Sequence, residues 1–476
     1  MDWYIFAAMA KNDDPNLLKK IIAHAKEYGF VFPSSEIYDG LSAAYDYGQY
    51  GVELKNNIRS YWWKSMVQMN ENIVGLDASI FMHPTTWKAS GHVDAFNDPL
   101  IDNKDSKKRY RADVLIEDHI AKIEAKINKE VAKAAKRFGD DFDEKQFKET
   151  NPRVLDNVKK IDDINARFKR DLEEEDFDDL KLLIEELGIA DPVSGSKNWT
   201  EVRQFNLMFS TELGSLADGA SKIYLRPETA QGIFVNYLNV QKTGRMKLPF
   251  GIAQTGKAFR NEIIARQFIF RMREFEQMEM QFFVKPGTEM EWYEHWKAKR
   301  LAWHKALGLG EDSYKKLQFF DNEEERSYVP YVVETSIGLD RMFLAVLTSA
   351  FQEETLEDGS SRTVLKIPPV LAPIKAAVLP LLNKDGLPEK AHKILDELKM
   401  SVNAQYDGKD AIGRRYRRQD AIGTPYCITV DHQTLEDNTV TIRERDSMEQ
   451  RRVSVVEVVN EIEEAVSMKA LLKLGK

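Results

Sequence analysis

The chain has 476 residues, which is more than one hydrophobic core usually supports, so we expect two or three domains. Hydrophobic residues make up 43% and charged residues 30%, as in a globular enzyme, and the single cysteine, Cys427, excludes a disulfide framework and a cysteine-based zinc site. The net charge of −9 argues against a nucleic-acid partner only if the charge is evenly spread. It is not, because residues 171–187 are acidic and residues 413–420 form a dense basic cluster.

Two further features of the sequence indicate the cellular compartment. No apolar run reaches about 18 residues, so we predict no membrane span. The N-terminal stretch "MDWYIFAAMAKNDD" lacks the basic start and the long apolar run of a secretory signal, and a short extension ahead of a second methionine explains it. With the lone cysteine, these features predict a cytoplasmic protein.

The N-terminal part is predicted to alternate helix and strand. Residues 17–33 carry a helical pattern that Gly29 and Pro33 end. From Gly51 onward apolar residues recur at helical spacing, which predicts a helix over 52–69. The run "ASIFMHP" then predicts a strand that Pro84 stops.

The middle of the chain changes character twice. Residues 110–187 are amphipathic and highly charged, which predicts a helical insertion whose charges form a solvated face. Between 197 and 285 four strand-like runs, one of them at 222–238, are joined by short turns, which predicts an antiparallel sheet. A tryptophan-rich helix is expected over 287–307.

The C-terminal part begins with a strand, a glycine turn and a helix predicted over 328–351. Residues 352–369 are interpreted as a linker. From 364 to 476 strand-like runs alternate with helices, which predicts a compact α/β domain.

A candidate site begins with Arg260 and Glu262, because side chains two apart on a strand share a face. The next strand-like run places Arg271, Arg273 and Phe275 at the same period. A hairpin of the two runs would bring all these side chains to one face of the sheet.

The loop between the two runs adds Arg266. Arginine forks suit phosphate oxygens, an aromatic ring can stack on a base, and a carboxylate can accept a hydrogen bond from an exocyclic amine. Such a set describes an adenine-nucleotide site without a GxxxxGK[ST] loop, which does not occur in the sequence. The alternative is a surface sheet crossed by ion pairs, and spacing alone leaves it open.

A second constellation is "ETSIGLDR", residues 334–341, at the junction of a strand and a helix. Gly338 permits a tight turn, and Arg341 would lie in the first helical turn, where phosphate is favoured.

These residues resemble motifs of the class II aminoacyl-tRNA synthetases. Segments 259–262 and 271–275 resemble motif 2, which reads Phe-Arg-x-Glu and, after a loop, an arginine and a phenylalanine; "GLDR" resembles motif 3. The helix over 52–69 and the strand before Pro84 resemble motif 1, the dimer-forming segment. Within the class, the segments that resemble the dimeric glycyl-tRNA synthetases are "VFPSSEIYDGLSAAYDYGQYGVELKNNI" (31–58), "YRAD" (110–113), "RPETAQGIFVNY" (226–237) and "VVETSIGLDR" (332–341).

The resemblance implies an α+β fold, with an antiparallel-sheet class II catalytic core, a helical insertion and a C-terminal α/β anticodon-binding domain. The implied domains are the N-terminal part of the catalytic domain with motif 1 (1–109), a mainly helical charged insertion (110–196), the catalytic core with motifs 2 and 3 (197–360) and the anticodon-binding domain (361–476). The implied activity is that of a homodimeric glycyl-tRNA synthetase, which uses ATP and Mg²⁺ to attach glycine to tRNA(Gly).

The resemblance also implies roles for single residues. Arg260 would hold the α-phosphate and the glycine carboxylate, and Arg341 the γ-phosphate; these two are the implied catalytic residues. Glu262 would contact the adenine amine, Phe275 would stack on the ring, and Arg111 would close over the site. The residues implied to bind ATP are Arg260, Asn261, Glu262, Phe270, Arg271, Met272, Arg273, Glu274, Phe275, Gly338, Leu339, Asp340 and Arg341. Those implied to bind glycine are Arg111, Glu228, Phe275, Glu276, Gln277, Met278, Glu279, Glu334, Thr335, Ser336, Ile337 and Gly338.

The glycine niche is implied to be acidic, with Glu228, Glu279, Glu334 and Ser336 around the ammonium group. One extra methyl group contributes only about 1–3 kcal/mol of binding, so added contacts cannot select glycine over alanine. A crowded niche that excludes a side chain can do so.

The basic cluster 413–420 resembles part of the anticodon-binding domain shared by several class II synthetases. Arg414, Arg415, Arg417 and Arg418 are predicted to contact RNA phosphates, and Tyr416 to stack on a base. The alternative is that Arg417 and its neighbour at 418 pair internally with an acidic residue at 420 or 444.

Two departures from the family pattern stand out. Asp191 and Ser194 occupy positions where relatives often carry zinc-binding cysteines, so no zinc is expected. The sequence also passes quickly from the helix ending near 307 to the strand before motif 3, where the family has a longer segment. Either that segment is deleted, or residues between about Tyr314 and Lys315 are missing from the sequence.

Two alternative functions remain open at this point. One is a class II synthetase for threonine, serine or proline, which the acidic Glu228 and Glu334 disfavour. The other is a non-catalytic synthetase-like protein that binds RNA or assists a polymerase, which the presence of Arg260, Glu262 and Arg341 disfavours.

Overall fold

The computed structural model describes residues 16–138, 142–214, 221–262, 268–309, 319–321, 326–328, 335–356 and 359–474. Its strands are β1 (Val31–Pro33), β2 (Tyr45–Tyr47), β3 (Ile73–Gly75), β4 (Asn97–Asp102), β5 (Arg109–Arg111), β6 (Arg203–Asn206), β7 (Ser210–Leu213), β8 (Ser221–Tyr224), β9 (Phe250–Phe259), β10 (Glu274–Phe283), β11 (Phe319–Asp321), β12 (Arg326–Tyr328), β13 (Thr335–Gly338), β14 (Phe351–Thr355), β15 (Ser361–Leu365), β16 (Ala376–Pro380), β17 (Ala404–Tyr406), β18 (Tyr426–Val430), β19 (Thr439–Glu444) and β20 (Gln450–Ser454). Its helices are α1 (Leu17–Glu27), α2 (Gln49–Trp63), α3 (Pro84–Ala89), α4 (His92–Ala95), α5 (Ala112–Phe138), α6 (Glu144–Thr150), α7 (Pro152–Glu173), α8 (Phe177–Glu186), α9 (Ala230–Thr243), α10 (Glu289–Ala306), α11 (Leu339–Ala350), α12 (Leu387–Lys399), α13 (Ile412–Ile422), α14 (His432–Asp437), α15 (Val455–Ala465) and α16 (Met468–Leu474).

The chain divides into two compact units, residues 1–86 with 209–476 and residues 87–208. Helices are combined with mainly antiparallel sheets, which confirms the predicted α+β class. Among the described helices, none has the length and apolar character needed to cross a bilayer.

The first unit is built on a sheet of four strands in the order β13-β10-β9-β3. β9 and β10 form an antiparallel hairpin whose register runs from the pair Phe259 and Glu274 to the pair Phe250 and Phe283. β13 continues the sheet antiparallel to β10, and β3 lies parallel to β9. The hairpin predicted between the two arginine-bearing runs is confirmed.

Helices α2 and α11 share one hydrophobic core with this sheet. The fully buried Leu54, Ile58 and Trp62 of α2 recur at helical spacing, which is why this segment folds as a helix with one face inward. α2 continues as a single π-helical turn over Lys64–Gln68, so the helix predicted over 52–69 is confirmed. The helix predicted over 287–307 is confirmed as α10.

Three sequence predictions are wrong in this unit. Residues 78–83, all of which the structure describes, form no strand beyond an isolated bridge at Phe81, and Pro84 instead begins α3, where its missing N–H is not needed. The run 222–238 is strand only to Tyr224, because Ile233, Tyr237 and neighbouring apolar residues pack together at helical spacing in α9.

The third wrong prediction is the linker over 352–369. β14 and β15 pair antiparallel within it and form a hairpin. Gly359 has a φ of 78°, which glycine adopts without a steric cost, and it lies in the turn of this hairpin.

The second unit, residues 87–208, has a three-stranded sheet in the order β5-β4-β6 beside helices α5, α7 and α8. Its core contains apolar residues from each of these helices, among them Ile116, Ile164 and Leu183. The helices predicted over 110–187 are confirmed. Because β4 precedes them and β6 follows them, the compact unit includes residues on both sides of the helical stretch.

The C-terminal part of the first unit contains a five-stranded sheet in the order β17-β16-β18-β19-β20. β17, β16 and β18 are parallel, and β19 and β20 are antiparallel. Helices α12 and α15 pack in its core, so the predicted α/β domain is confirmed.

Candidate active site

A cavity of about 180 Å³ opens in the first unit beside β10, β13 and the first turn of α11. Its lining mixes cationic, acidic and aromatic side chains. Every lining residue except Ile269 is among those predicted to bind ATP or glycine; they are Arg260, Glu262, Phe270, Arg271, Met272, Phe275, Gln277, Ser336, Gly338, Asp340 and Arg341. The two constellations identified in the sequence therefore meet in space.

Alternation along β10 decides which side chains reach the cavity. Phe275 and Gln277 line it, whereas Met278 is fully buried in the core. Gln277 donates to the Ser336 hydroxyl on the neighbouring strand at 3.1 Å and accepts the Thr229 N–H at 3.2 Å. These bonds fix the amide of Gln277 at the cavity wall.

The backbone leaves the strand at Phe259, so the prediction that Arg260 and Glu262 share a face of a strand is wrong. A tight turn, in which the Glu262 N–H donates to the Arg260 carbonyl at 2.7 Å, replaces the strand. Both side chains line the cavity from this turn. Asn261 between them is half-buried and is not part of the lining.

Arg260 and Arg341 are held in the same way. The Arg260 Nε donates to the Pro227 carbonyl at 3.0 Å, and its guanidinium lies 5.3 Å from the Phe275 ring centre. The Arg341 Nε donates to the Phe270 carbonyl at 3.1 Å, and its guanidinium lies 4.6 Å from the ring of that residue. One edge and one face of each cation are therefore fixed by the protein at the cavity wall.

The remaining predicted cations differ. Arg271 lines the cavity. Arg273 donates to the carbonyls of Glu262 and Ser42 at 3.1 and 3.0 Å, so it holds the turn from outside the cavity. Arg266 lies outside the described residues.

The predicted acidic niche is only partly formed by residues at the cavity. Glu279 is fully buried and accepts from the Thr229 hydroxyl and, at 2.7 Å, from Gln281. Glu228 is half-buried and accepts from Gln231 at 3.1 Å. Neither is part of the described lining, and Glu334 lies outside the described residues.

Glu276 points to the opposite face, where Arg59 holds its carboxylate through two hydrogen bonds of 2.7 and 2.8 Å. Burial acts to raise the pKa of Glu276, but the hydrogen bond and charge of Arg59 and the charge of Lys55 outweigh it and leave this pKa below its usual value. The structure thus favours a structural role for Glu276 in place of the predicted glycine contact.

Several predicted binding residues present no side chain to the cavity. Leu339 and Ile337 are buried in the core, so only their backbone atoms remain for the predicted contacts. Glu274 is exposed and paired with Lys257. Gly338 has a φ of −70° and a ψ of 116°, which other residues also adopt, so the direct junction between β13 and α11 does not depend on the conformational freedom of glycine. Arg341 lies in the first turn of α11, as predicted.

Arg111 belongs to the second unit. It is paired with Asp98 at 3.0 Å and with Asp113 at 2.5 Å. Its closure over the glycine site stays a prediction.

Sequence reasoning missed a buried polar network behind the cavity. The Asp340 carboxylate accepts from the Tyr47 hydroxyl at 2.5 Å, from Lys55 Nζ at 2.7 Å and from the Glu276 N–H at 2.7 Å. No local pattern pointed to Tyr47 or Lys55, because each lies almost three hundred residues from its partner.

The described residues contain no group of three His, Cys, Asp or Glu side chains arranged to hold a metal ion. Mg²⁺ in nucleotide sites is bound mainly by the phosphates, with one or two protein carboxylates, and the cavity has two carboxylates in its described lining, those of Glu262 and Asp340.

Hydrogen bonds close the loop around Asp191 and Ser194, for which the sequence predicted no zinc. The Ser194 hydroxyl donates to Asp191 at 2.6 Å, and Tyr110 also donates to this carboxylate. Burial acts to raise the pKa of Asp191, but bonds from Ser106, Ser194 and Tyr110 leave this pKa well below its ordinary value. The absence of zinc stays a prediction.

The C-terminal basic cluster forms α13. Arg415 is 3% exposed and donates to the carbonyls of Asp410 at 2.9 Å, Gly408 at 2.8 Å and Pro380. The structure thus favours a structural role for Arg415 in place of the predicted RNA contact. Arg414 is exposed and Arg417 is half-buried, as an RNA contact requires.

Other members of the cluster are engaged internally. Arg418 pairs with Asp407 and Asp410, whereas Asp420 is taken by Arg443, so the alternative partners named from the sequence are wrong for Arg418. The half-buried Tyr416 shares a hydrogen bond of 2.6 Å with Thr429 and has the Arg443 guanidinium 4.8 Å from its ring centre.

Comparison with known families covers most of the chain. A model described as glycyl-tRNA synthetase insertion domain 1 matches residues 98–207, which lie inside the second unit. A model of the class II tRNA synthetase core domain (G, H, P, S and T) matches residues 209–318, and an anticodon-binding domain model matches residues 375–465.

Relatives named glycine–tRNA ligase align along nearly their full length. The protein from Chlorobaculum tepidum is 46% identical over 92% of this chain and 97% of its own length. Those from Macrococcus caseolyticus and Geobacillus kaustophilus are 45% and 43% identical over 94% of this chain. A solved structure titled as the RNA-binding domain of threonyl-tRNA synthetase from Cryptosporidium parvum covers 93% of this chain and 96% of its own, with a TM-score of 0.52 and 13% identity, and supports the fold alone.

Proposed function

The chain belongs to the glycine–tRNA ligase family, and from this premise we propose that it activates glycine with ATP and transfers it to the 3′ end of tRNA(Gly). The observation that carries the proposal is a cavity lined by two fixed cations, Arg260 and Arg341, and by the aromatic ring of Phe275. Relatives named glycine–tRNA ligase align with more than nine-tenths of the chain.

In the first step a glycine carboxylate oxygen attacks the α-phosphorus of ATP, and the bond to the pyrophosphate oxygen breaks. The products are glycyl-adenylate and pyrophosphate. Two anions must approach each other, so the reaction needs fixed positive charge more than an acid or a base. A terminal hydroxyl of the tRNA then attacks the glycyl carbonyl, and AMP leaves.

The residues of the cavity suit the first step. Arg260 would neutralise the α-phosphate and the carboxylate, and its contact with Pro227 and Phe275 means that its guanidinium needs little reorganisation. Arg341 would hold the γ-phosphate at the start of α11, where the helix dipole also favours an anion. Mg²⁺, when bound with the nucleotide, supplies further positive charge to the phosphates.

Selection of glycine would depend on crowding at the Gln277 and Ser336 wall. The hydrogen bond of 3.1 Å between these side chains fixes the wall, so it cannot retreat easily from a larger amino acid. Glu334, predicted to bind the ammonium group, would complete the niche.

The partners follow from the same premise. The anticodon of tRNA(Gly) would contact the α/β domain, with Arg414 and Arg417 as the exposed or half-exposed cations of α13. We also propose a cytoplasmic homodimer, with α2 in the dimer-forming segment.

Amino-acid-dependent exchange of pyrophosphate into ATP tests the proposal. Each of the twenty amino acids is supplied separately, and we expect exchange with glycine alone. Exchange with threonine, serine or proline in its place would indicate another class II synthetase. No exchange with any amino acid, together with RNA binding, would support the non-catalytic reading.

A further inference from the structure

Asp340 is buried beside the cavity, one residue before Arg341 on the first turn of α11. Only 2% of the residue is exposed to solvent. Three hydrogen-bond donors from three different secondary-structure elements surround its carboxylate. Tyr47 of β2 and Lys55 of α2 donate to Oδ1, at 2.5 and 2.7 Å, and the backbone N–H of Glu276 in β10 donates to Oδ2 at 2.7 Å.

The donors are themselves fixed. Lys55 lies 4.2 Å from the Tyr47 ring centre and 3.3 Å from the Glu276 carboxylate, and the Tyr47 ring meets the Phe343 ring of α11 edge to face at 5.0 Å. Burial, and then the nearby charge of Asp340, raise the pKa of Tyr47 well above its usual value, so its hydroxyl remains a donor.

We propose that Asp340 is a positioning residue, which with Tyr47 and Lys55 clamps the first turn of α11 against β10 and thereby fixes the Arg341 guanidinium at the cavity. This inference rests on the proposed function and deepens it. Each oxygen of Asp340 already accepts a hydrogen bond from the protein, so its main role is not a nucleotide contact of its own. Lys55 acts from behind the cavity and is not among its lining residues.

The geometry explains why the clamp matters for Arg341. The Arg341 side chain is held to the Phe270 carbonyl at 3.1 Å, on a segment next to β10, while its backbone belongs to α11. Both ends of the arginine therefore keep their relative positions only while α11 and β10 stay together. Misplacement of a binding group by about 1 Å can cost about a hundredfold in rate.

A double-mutant cycle tests the clamp. The proteins compared are the natural chain, Asp340→Asn, Arg341→Ala and the double variant, and the readouts are glycine-dependent exchange, ATP affinity by calorimetry and the melting temperature. We expect Asp340→Asn to lower kcat/KM for ATP by about tenfold or more while the glycine KM changes by less than about threefold. In the Arg341→Ala background the same substitution should change kcat/KM for ATP by less than about threefold, although it still lowers the melting temperature.

Lys55→Met should reproduce the ATP effect of Asp340→Asn, and Tyr47→Phe should give a smaller effect of the same kind. The matched control is Lys20→Met, which removes a cation from an exposed ion pair with Glu353 and should leave all readouts unchanged. Equal losses from Asp340→Asn with and without Arg341 would overturn the proposal, as would a rise in glycine KM alone. Because the calorimetric cycle requires no amino acid, it decides on the clamp even if glycine is the wrong substrate.

Discussion

Two arginine-rich regions of this chain show how differently the same side chain can be used. At the cavity, Arg260 and Arg341 are each held through Nε and one aromatic face. In α13, Arg415 gives all three of its nitrogens to backbone carbonyls and is almost fully buried. Positively charged residues are denser in the sequence of α13 than around the cavity. The nucleotide site that we propose is nevertheless the cavity.

The difference teaches that the partners of a guanidinium, more than its neighbours in sequence, indicate its function. An arginine that is held at the wall of a cavity is preorganised for an anion, because little entropy is lost when a phosphate arrives. An arginine bonded on every edge holds the fold together. The cavity arginines should therefore affect catalysis, and Arg415 should affect stability.

The largest expected effect comes from Arg260→Ala. Loss of a fixed cation at the reacting phosphate should lower glycine-dependent exchange by about 10²–10³-fold, while the melting temperature changes little. Arg273→Ala sharpens the comparison, because Arg273 lies in the same motif but bonds Glu262 and Ser42 carbonyls outside the cavity. An equal loss of exchange in both variants would contradict the distinction between them.

Arg415→Ala should have the opposite signature. It leaves three or more carbonyl acceptors unsatisfied in a buried place and should lower the free energy of unfolding by about 2–4 kcal/mol, measured by urea denaturation. Exchange per folded molecule should stay at the natural level. Arg414→Ala is the control for stability, since Arg414 is exposed. A stable Arg415→Ala protein with lost tRNA binding would reverse the assignment.

Lys375 extends the comparison to a buried lysine held by carbonyls. It donates to Val370 and Ala372 at 2.6 and 2.7 Å, and burial lowers its pKa to about 7 from the ordinary 10.5. Between these two values the unfolded chain binds more protons than the folded chain, so this residue makes stability rise with pH.

Lys375→Met should remove that contribution. We expect the slope of the unfolding free energy between pH 7 and pH 9.5 to fall by up to about 1.4 kcal/mol per pH unit relative to the natural chain. Lys384→Met serves as the matched control, because its ion pair with Asp385 is exposed. An unchanged slope in Lys375→Met would show that this lysine stays charged when buried, as an arginine does.

The smallest effects are expected at the outer face of α13. Arg414→Ala and Arg417→Ala should each raise the tRNA KM in aminoacylation severalfold and reduce the slope of log affinity against log salt by about one, while exchange without tRNA is unaffected. If neither variant changes the tRNA KM or its salt dependence, α13 does not contact RNA.

Much of the site was accessible from the sequence because its signals are local. Arg260, Glu262 and Phe275 stand at short spacings in a hairpin, and "GLDR" marks the start of a helix. The antiparallel pairing of two ten-residue strands then brings the rest of the motif together. Even so, Arg260 and Glu262 do not share a face of a strand, as was predicted, but reach the cavity from a turn.

The network behind the cavity could not be found in this way. Asp340 contacts residues 293 and 285 positions away, and Glu276 contacts Arg59, 217 positions away. No pattern within a window of residues can indicate such pairs. Arg415 was misjudged for another reason. The carbonyls of Asp410 and Gly408 that it bonds are only five and seven residues away, but a backbone carbonyl has no residue-specific signal, whereas the basic neighbours of Arg415 suggested RNA.

The errors in the predicted secondary structure have a different cause. Short apolar runs are compatible with both helical and strand periods, and the segment from Ala230 was assigned to the wrong one. The hairpin β14 and β15 lies in a polar stretch that resembles a linker, because its outer faces are solvated.

The most direct test of the account is a crystal structure of the chain with the sulfamoyl analogue of glycyl-adenylate, in which a sulfamate replaces the α-phosphate. We predict that the sulfamate lies within hydrogen-bonding distance of Arg260, the adenine stacks on Phe275, and the glycyl group meets the wall formed by Gln277 and Ser336. An analogue bound elsewhere, or bound here with Arg260 turned away from the sulfamate, would contradict the assignment of the cavity.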